Sequence, residues 1–187
     1  MRIISGRSKG KKILNPEDIN TRPLKDLTKE SIFNIIKHSN KFNVQLQNSN
    51  VLDLFSGVGS FGLECLSRGS ENITFVENYK NVLPILRKNI FNLDYQNNSS
   101  VIESNILNQL NFKNFKDKFD IIFMDPPYKE KNLFKIIVDI IDAETLKNNG
   151  IIIIHRHKKE DDKFPDKFRI IEEKTYGISR VFFGSYN

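Results

Sequence analysis

Apolar residues along this chain come in short continuous blocks separated by longer stretches with helical spacing. The blocks at 51–54, 73–76, 119–124 and 151–155 are rich in Val, Ile, Leu and Phe, the composition of strands covered on both faces. A weaker block at 100–103 completes the series. Between them, 60–67, 79–93 and 133–141 are predicted helices, and Val82, Leu86, Ile90 and Leu93 share one face of the second. Pro84 lies in the first turns of that helix, where its missing N–H costs little. A short helix is expected from Ile106. Ahead of the alternating region, 2–5 and 11–14 flank a turn bounded by Gly6 and Gly10 and predict a small β-hairpin. Pro23 disfavours helix at Arg22. Thr28 is expected to cap a helix running to His38, with Ile32, Phe33, Ile35 and Ile36 as its apolar side. The polar stretch 41–50 reads as a linker. At the end of the chain, strands at 168–175 and 180–186 are joined only through Gly177, so they must be antiparallel.

Strands alternating with helices at this spacing predict an α/β fold. Its expected form is a Rossmann-like, seven-stranded, mostly parallel sheet with helices on both faces and an antiparallel C-terminal hairpin. Residues 1–40 are expected to form an N-terminal hairpin-and-helix extension, and 41–187 the main domain. The length of 187 residues and the 39% hydrophobic content suit such a core. A single cysteine, Cys65, excludes a disulfide framework and a cysteine-built zinc site, and it is expected to be a core residue. No apolar run is long enough to span a bilayer and no signal-peptide pattern opens the chain, so a cytoplasmic protein is expected. The net charge is +6. Arg2, Arg7, Lys9, Lys11 and Lys12 crowd the first dozen residues with no acidic residue among them. Clustered cations of this kind neutralise phosphates, which points to a nucleic-acid partner.

The first strand runs into Asp53-Leu54-Phe55-Ser56-Gly57-Val58-Gly59-Ser60-Phe61-Gly62. Gly57, Gly59 and Gly62 spell G-x-G-x-x-G, and Glu77 follows Gly57 by 20 residues, which meets the dinucleotide fingerprint as written. Asp53 argues against a dinucleotide. A carboxylate beside a loop built to hold a pyrophosphate would repel it by about 1–4 kcal/mol. S-adenosylmethionine carries a sulfonium and an ammonium group and no phosphate, so the same carboxylate attracts it. Glu77 suits ribose hydroxyls in either scheme.

The fourth strand ends in Asp125-Pro126-Pro127-Tyr128. In open α/β sheets ligands sit beyond the carboxyl ends of the strands. A carboxylate, two stiff imino acids and a ring at that place suit a planar group stacked on the ring with its polar edge held. An exocyclic amine on a base is a weak nucleophile because its lone pair is delocalised. Acceptors on its N–H groups localise that pair. Asp125 supplies one acceptor and the Pro126 carbonyl a second, the prolines limit reorganisation, and Tyr128 offers a stacking face. No metal is required. His155, Arg156 and His157 read as a basic cluster at a strand end rather than a catalytic group, since no carboxylate partner is spaced to form a triad.

The loop 53–62 resembles the first motif of class I S-adenosylmethionine-dependent methyltransferases. The tetrapeptide matches the (Asn/Asp/Ser)-Pro-Pro-(Tyr/Phe/Trp) motif of those that modify planar nitrogens. Arg2–Gly6, Lys9–Ile13, Asn20–Pro23, Lys29–Ile35, Leu66–Gly69 and Tyr176-Gly177 together resemble the bacterial RsmD family of 16S rRNA guanine-N2 methyltransferases over nearly the full length. The resemblance implies S-adenosylmethionine as cofactor and methylation of one guanine N2 in 16S rRNA, guanine 966, on a small-subunit particle by a monomer with no membrane contact. It implies catalytic roles for Asp125, Pro126, Pro127 and Tyr128. Cofactor contacts fall to Thr21, Asp53, Phe55, Gly57, Gly59, Glu77, Asn78, Asn105 and Ile106. Substrate contacts fall to Arg7, Lys9, Lys11, Lys12 and Arg22. The chain departs from the family at Leu27, Asn105, Ile154 and Ile178. DNA amino-methylation is the competing reading of Asp-Pro-Pro-Tyr. The chain after the fifth strand is only about one hairpin long, too short for a domain that reads base edges.

Overall fold

The apolar blocks become the central strands of one sheet in the computed structural model, which describes residues 1–16, 24–127 and 130–186. In chain order the elements are α1 (Asp26–His38), β1 (Asn50–Leu54), α2 (Ser60–Ser67), β2 (Asn72–Glu77), α3 (Leu83–Asn92), β3 (Ser99–Glu103), β4 (Phe119–Met124), α4 (Leu133–Asp142), β5 (Leu146–His157), β6 (Arg169–Tyr176) and β7 (Ser179–Ser185). The strands lie in the order β3-β2-β1-β4-β5-β7-β6. Pairs among β1 to β5 are parallel, and β7 runs antiparallel to both β5 and β6. The predicted fold class is the observed one. Strand order reverses between β1 and β4, and the crevice at such a switch point is where α/β sheets bind ligands.

Side chains alternate across the sheet with a period of two, and that parity sorts the core into two layers. Val51, Ile121, Phe123, Ile151 and Ile153 face the layer built with α1, α2 and α3. Leu52, Leu54, Ile122, Met124, Ile152 and Ile154 face the layer built with α4. Helix α4 docks through Leu133, Ile136, Ile137, Ile140 and Ile141, a stripe at helical spacing. Each such burial contributes about 1.5–3 kcal/mol.

The N-terminal segment joins the first layer through Ile3 and Ile13, both fully buried. A buried carboxylate fastens it: Glu64 of α2 accepts from the N–H groups of Ile4 (2.8 Å) and Ser5 (2.9 Å) and from Arg68 Nε (2.8 Å). Lys29 of α1 approaches the same carboxylate at 3.7 Å and donates to the Arg2 carbonyl. Burial pushes the Lys29 ammonium below its ordinary range against the pull of Glu64 and Asp26.

Several local expectations are corrected. The hairpin has an antiparallel bridge, Arg2 to Lys12, and no longer ladder, because the 6–10 turn folds back on itself through Lys9 N–H to Gly6 O and Lys11 N–H to Ser8 O. Thr28 does not cap α1. The helix starts at Asp26 behind Lys25 and Thr28 is buried within it. Helix α3 begins at Leu83, since Glu77 captures the N–H groups of Asn78 and Tyr79, and Pro84 falls in the first turn. The segment from Ile106 is one turn, with Asn105 Oδ1 accepting from Leu107 and Asn108. Strand β5 starts at Leu146, not at Ile151. A register shift after Phe119 absorbs the extra residues, and Gly150 sits there within van der Waals reach of Leu146.

Candidate active site

Strand β1 delivers Asp53 and then breaks sharply. Phe55 takes a left-handed backbone (φ 60°), as do Gly57 (54°) and Gly59 (84°). For Phe55 that conformation costs of order 1–3 kcal/mol, strain of the sort that collects at functional sites. Gly57 has open space where a side chain would stand. Gly59, the residue ahead of α2, packs so closely on Leu86 that a Cβ would come within 2.6 Å of it. The turn therefore exposes one glycine to the crevice and uses the other for helix packing.

The crevice is a cavity of about 630 Å³ over the ends of β1, β2 and β4. Of the residues assigned to cofactor or catalysis, Asp53, Phe55, Gly57, Glu77, Asn78, Asn105, Ile106, Asp125, Pro126 and Pro127 line it. Gly59 does not. Thr21, Arg22 and Tyr128 lie outside the described residues. Arg7, Lys9, Lys11 and Lys12 are exposed on the N-terminal turn and are not part of the cavity wall. The Arg7 guanidinium lies 4.3 Å from the centre of the Tyr95 ring, whose hydroxyl pairs with Ser8. Leu24 and Lys25 ahead of α1, Ile178 of the β6–β7 turn and Ser179 at the start of β7 also line the cavity.

Acidic groups dominate the electrostatics. Asp53 is 1% exposed and accepts from the Gly62 N–H at 3.0 Å. Burial pushes its carboxyl well above the usual range, and the nearby charges of Asp125 and Glu77 push in the same direction. Glu77 accepts from Gly57 N–H through one oxygen and from Asn78 and Tyr79 N–H through the other, each at 2.8 Å. The Gly57 N–H that a pyrophosphate would need is thus held by a carboxylate. A cavity with these acids on its wall attracts a cationic ligand and opposes an anionic one.

The Asp-Pro-Pro segment is held from β5. Register pairs Met124 with Ile154, so the next residues, Asp125 and His155, stand side by side. His155 Nδ1 lies 2.7 Å from Asp125 Oδ1. Arg156, 1% exposed, donates to the carbonyls of Pro127 (3.2 Å) and Glu130 (2.9 Å) and through Nε to Asp162 (2.8 Å). Residues 155–157 do close a strand, as expected, but the fold brings His155 to Asp125 and Arg156 to Asp162, and both side chains brace the loop that bears Asp125. The sequence did hold a signal, since Asp125 and His155 each directly follow the apolar run of one of the two strands of a single βαβ unit.

The model of the family described as Conserved hypothetical protein 95 matches residues 1–185. The chain belongs to the RsmD family of methyltransferases. Ribosomal RNA small subunit methyltransferase D of Haemophilus influenzae is 33% identical over 95% of this chain and 90% of that protein. The protein of the same name from Escherichia coli is 30% identical over 95% and 85%. The solved structure of Escherichia coli YhhF, described as a methyltransferase, superposes with a TM-score of 0.81 at 26% identity, covering 98% of this chain and 96% of that one. S-adenosylmethionine is the methyl donor that the RsmD family and this fold imply. The residues present fit it: an acid-lined cavity suits its two cationic groups, and Gly57 leaves room for close approach.

Proposed function

We propose that this RsmD-family protein methylates the exocyclic N2 of a guanine in 16S rRNA, guanine 966, with S-adenosylmethionine as donor. The observation that carries the reading is the Asp125 carboxylate, set on the cavity wall beside Pro126 with one oxygen already held by His155. When bound, S-adenosylmethionine supplies an electrophilic methyl on a sulfonium. Asp53, buried behind the loop, stabilises positive charge in the cavity, and Glu77 is in place for the ribose hydroxyls. Asp125 accepts one N–H of the target amine and the Pro126 carbonyl accepts the other, which localises the nitrogen lone pair toward the methyl. Tyr128 supplies a stacking face for the base. Positioning is the main catalytic contribution, because in-line transfer between held groups avoids most of the entropic cost of encounter.

The rRNA part of the reading is supported by the names of the relatives and by the exposed lysines of the N-terminal turn. A splayed guanine is the form in which single-stranded RNA presents its edge to such a site. The test is labelled methyl transfer to small-subunit particles from a strain lacking the enzyme, followed by mapping of the modified nucleotide. Asp125→Ala is expected to lower turnover by roughly 100-fold or more while leaving cofactor affinity near wild type. Label on duplex DNA and none on the particles would overturn the assignment to rRNA.

A further inference from the structure

The reacting carboxylate in this reading has a partner that the motif does not contain. Asp125, Phe123 and Ile121 share one face of β4, and His155, Ile153 and Ile151 share the matching face of β5. The His155 side chain is 7% exposed and that of Asp125 is 21% exposed. An ionised carboxylate can only accept, so the 2.7 Å contact places the imidazole proton on Nδ1. His155 Nε2 is buried and has no hydrogen-bond partner among the described residues. An N–H there would be a buried donor with nothing to receive it, whereas a bare lone pair at Nε2 leaves no donor unmet. The arrangement therefore selects the Nδ1–H tautomer, and that tautomer ties down Asp125 Oδ1 alone.

We propose that His155 is a positioning residue for methyl transfer: its Nδ1–H fixes the Asp125 carboxylate so that Oδ2 is presented to the amine of the target base. The proposal rests on the functional reading of Asp125 given above. An unrestrained carboxylate on a strand end rotates about its terminal bond and is drawn toward any donor in the cavity. His155 removes that freedom before substrate arrives. Arg156 adds a second restraint on the same loop, through backbone carbonyls only. During transfer the amine nitrogen forms its bond to the methyl carbon as the carbon–sulfur bond breaks. The sulfur keeps that electron pair as a neutral thioether, and the nitrogen sheds one proton to Asp125 Oδ2 and on to water. His155 keeps its Nδ1 proton throughout.

Two variants separate positioning from packing. Asn places its side-chain N–H close to where Nδ1 stands, and Leu fills similar space without a donor. His155→Leu is expected to lower kcat by roughly 10–100-fold, the range that loss of alignment near a reacting group produces, with KM for the particles and cofactor affinity within about twofold. His155→Asn is expected to bring kcat back to within about threefold of wild type. Adding His155→Leu to Asp125→Ala should cost nothing further. In the unmodified protein, NMR of the imidazole should show a slowly exchanging, downfield Nδ1 proton that Asp125→Ala removes, a readout that needs no variant at His155 to fold. Equal losses in the Asn and Leu variants, an unchanged kcat in the Leu variant, or a protonated Nε2 would overturn the proposal. A fully active Asp125→Ala would instead overturn the reading on which it rests.

Discussion

At the scale of single residues, Asp53 carries the sharpest conflict between folding and function. Its carboxyl is held well above the ordinary range by burial, opposed by the Gly62 N–H it accepts from and assisted by the nearby charges of Asp125 and Glu77. A raised value means that the ionised form opposes the fold, so the charge costs stability as pH rises through that value. The ionised form is also the one that attracts a sulfonium and an ammonium group. Cofactor affinity should therefore rise with pH through the same window, with proton release on binding at lower pH. Calorimetry in buffers of different ionisation enthalpy measures that proton directly. Asp53→Asn should abolish the pH dependence and weaken cofactor binding by roughly 10–100-fold, the effect of removing one close charge interaction at an intermediate dielectric. The same substitution should raise Tm in a thermal melt at neutral pH, because the amide carries no charge to desolvate. An affinity in the Asn variant equal to wild type would remove Asp53 from the cofactor site.

Among elements, helix α2 does two jobs from opposite sides. Its N-terminus carries the glycine turn, and Glu64 on its buried face binds the N-terminal segment. Helix α3 repeats the theme through Asn89, which accepts from Leu14 N–H at 2.8 Å and donates to the carbonyls of Leu14 (3.0 Å) and Val58 (3.1 Å). Val58 lies inside the glycine turn, so Asn89 spans the N-terminal segment and the cofactor loop. Glu64→Ala leaves the Lys29 ammonium buried beside an empty space and should cost about 3–5 kcal/mol in chemical denaturation. Amide exchange at Ile4 and Ser5 should accelerate before the sheet amides do. Unchanged protection at those two amides would mean that other contacts hold the segment.

For the whole molecule, the net charge is +6, and Arg2, Arg7, Lys9, Lys11 and Lys12 lie in the first dozen residues with no acid among them, Lys9, Lys11 and Lys12 exposed on the N-terminal turn. The cavity is lined instead by the acids Asp53, Glu77 and Asp125. The protein thus separates a surface suited to phosphates from an interior suited to a cation. Replacing the three lysines with Ala should weaken rRNA binding and reduce the slope of log affinity against log salt by about 0.7–0.9 for each phosphate no longer neutralised. Methyl transfer at saturating RNA should change little. Arg7 is left out of that set because its guanidinium also packs on Tyr95, and replacing it would mix packing with charge. An unchanged salt slope in the triple variant would make these lysines a solvated edge that touches no RNA.

The alternation of apolar runs determined the layered sheet on its own, because a run of four to six branched residues between amphipathic helices has few ways to bury both faces. Asp53 beside the glycines and the Asp125-Pro126-Pro127 sequence likewise marked the crevice, since local backbone chemistry decides where a strand ends. Element ends such as those of α3 and β5 were not legible, for they depend on Glu77 capturing two N–H groups and on a register shift across β4. The pairing of His155 with Asp125 belongs to tertiary structure altogether. Thirty residues separate them in the chain, and only the parallel register of β4 with β5 brings them to hydrogen-bonding distance. The attachment of Ile4 and Ser5 to Glu64 has the same origin. Sequence patterns report neighbours one turn or one strand away, whereas a buried carboxylate or imidazole is satisfied by whichever donor the packed sheet presents to it.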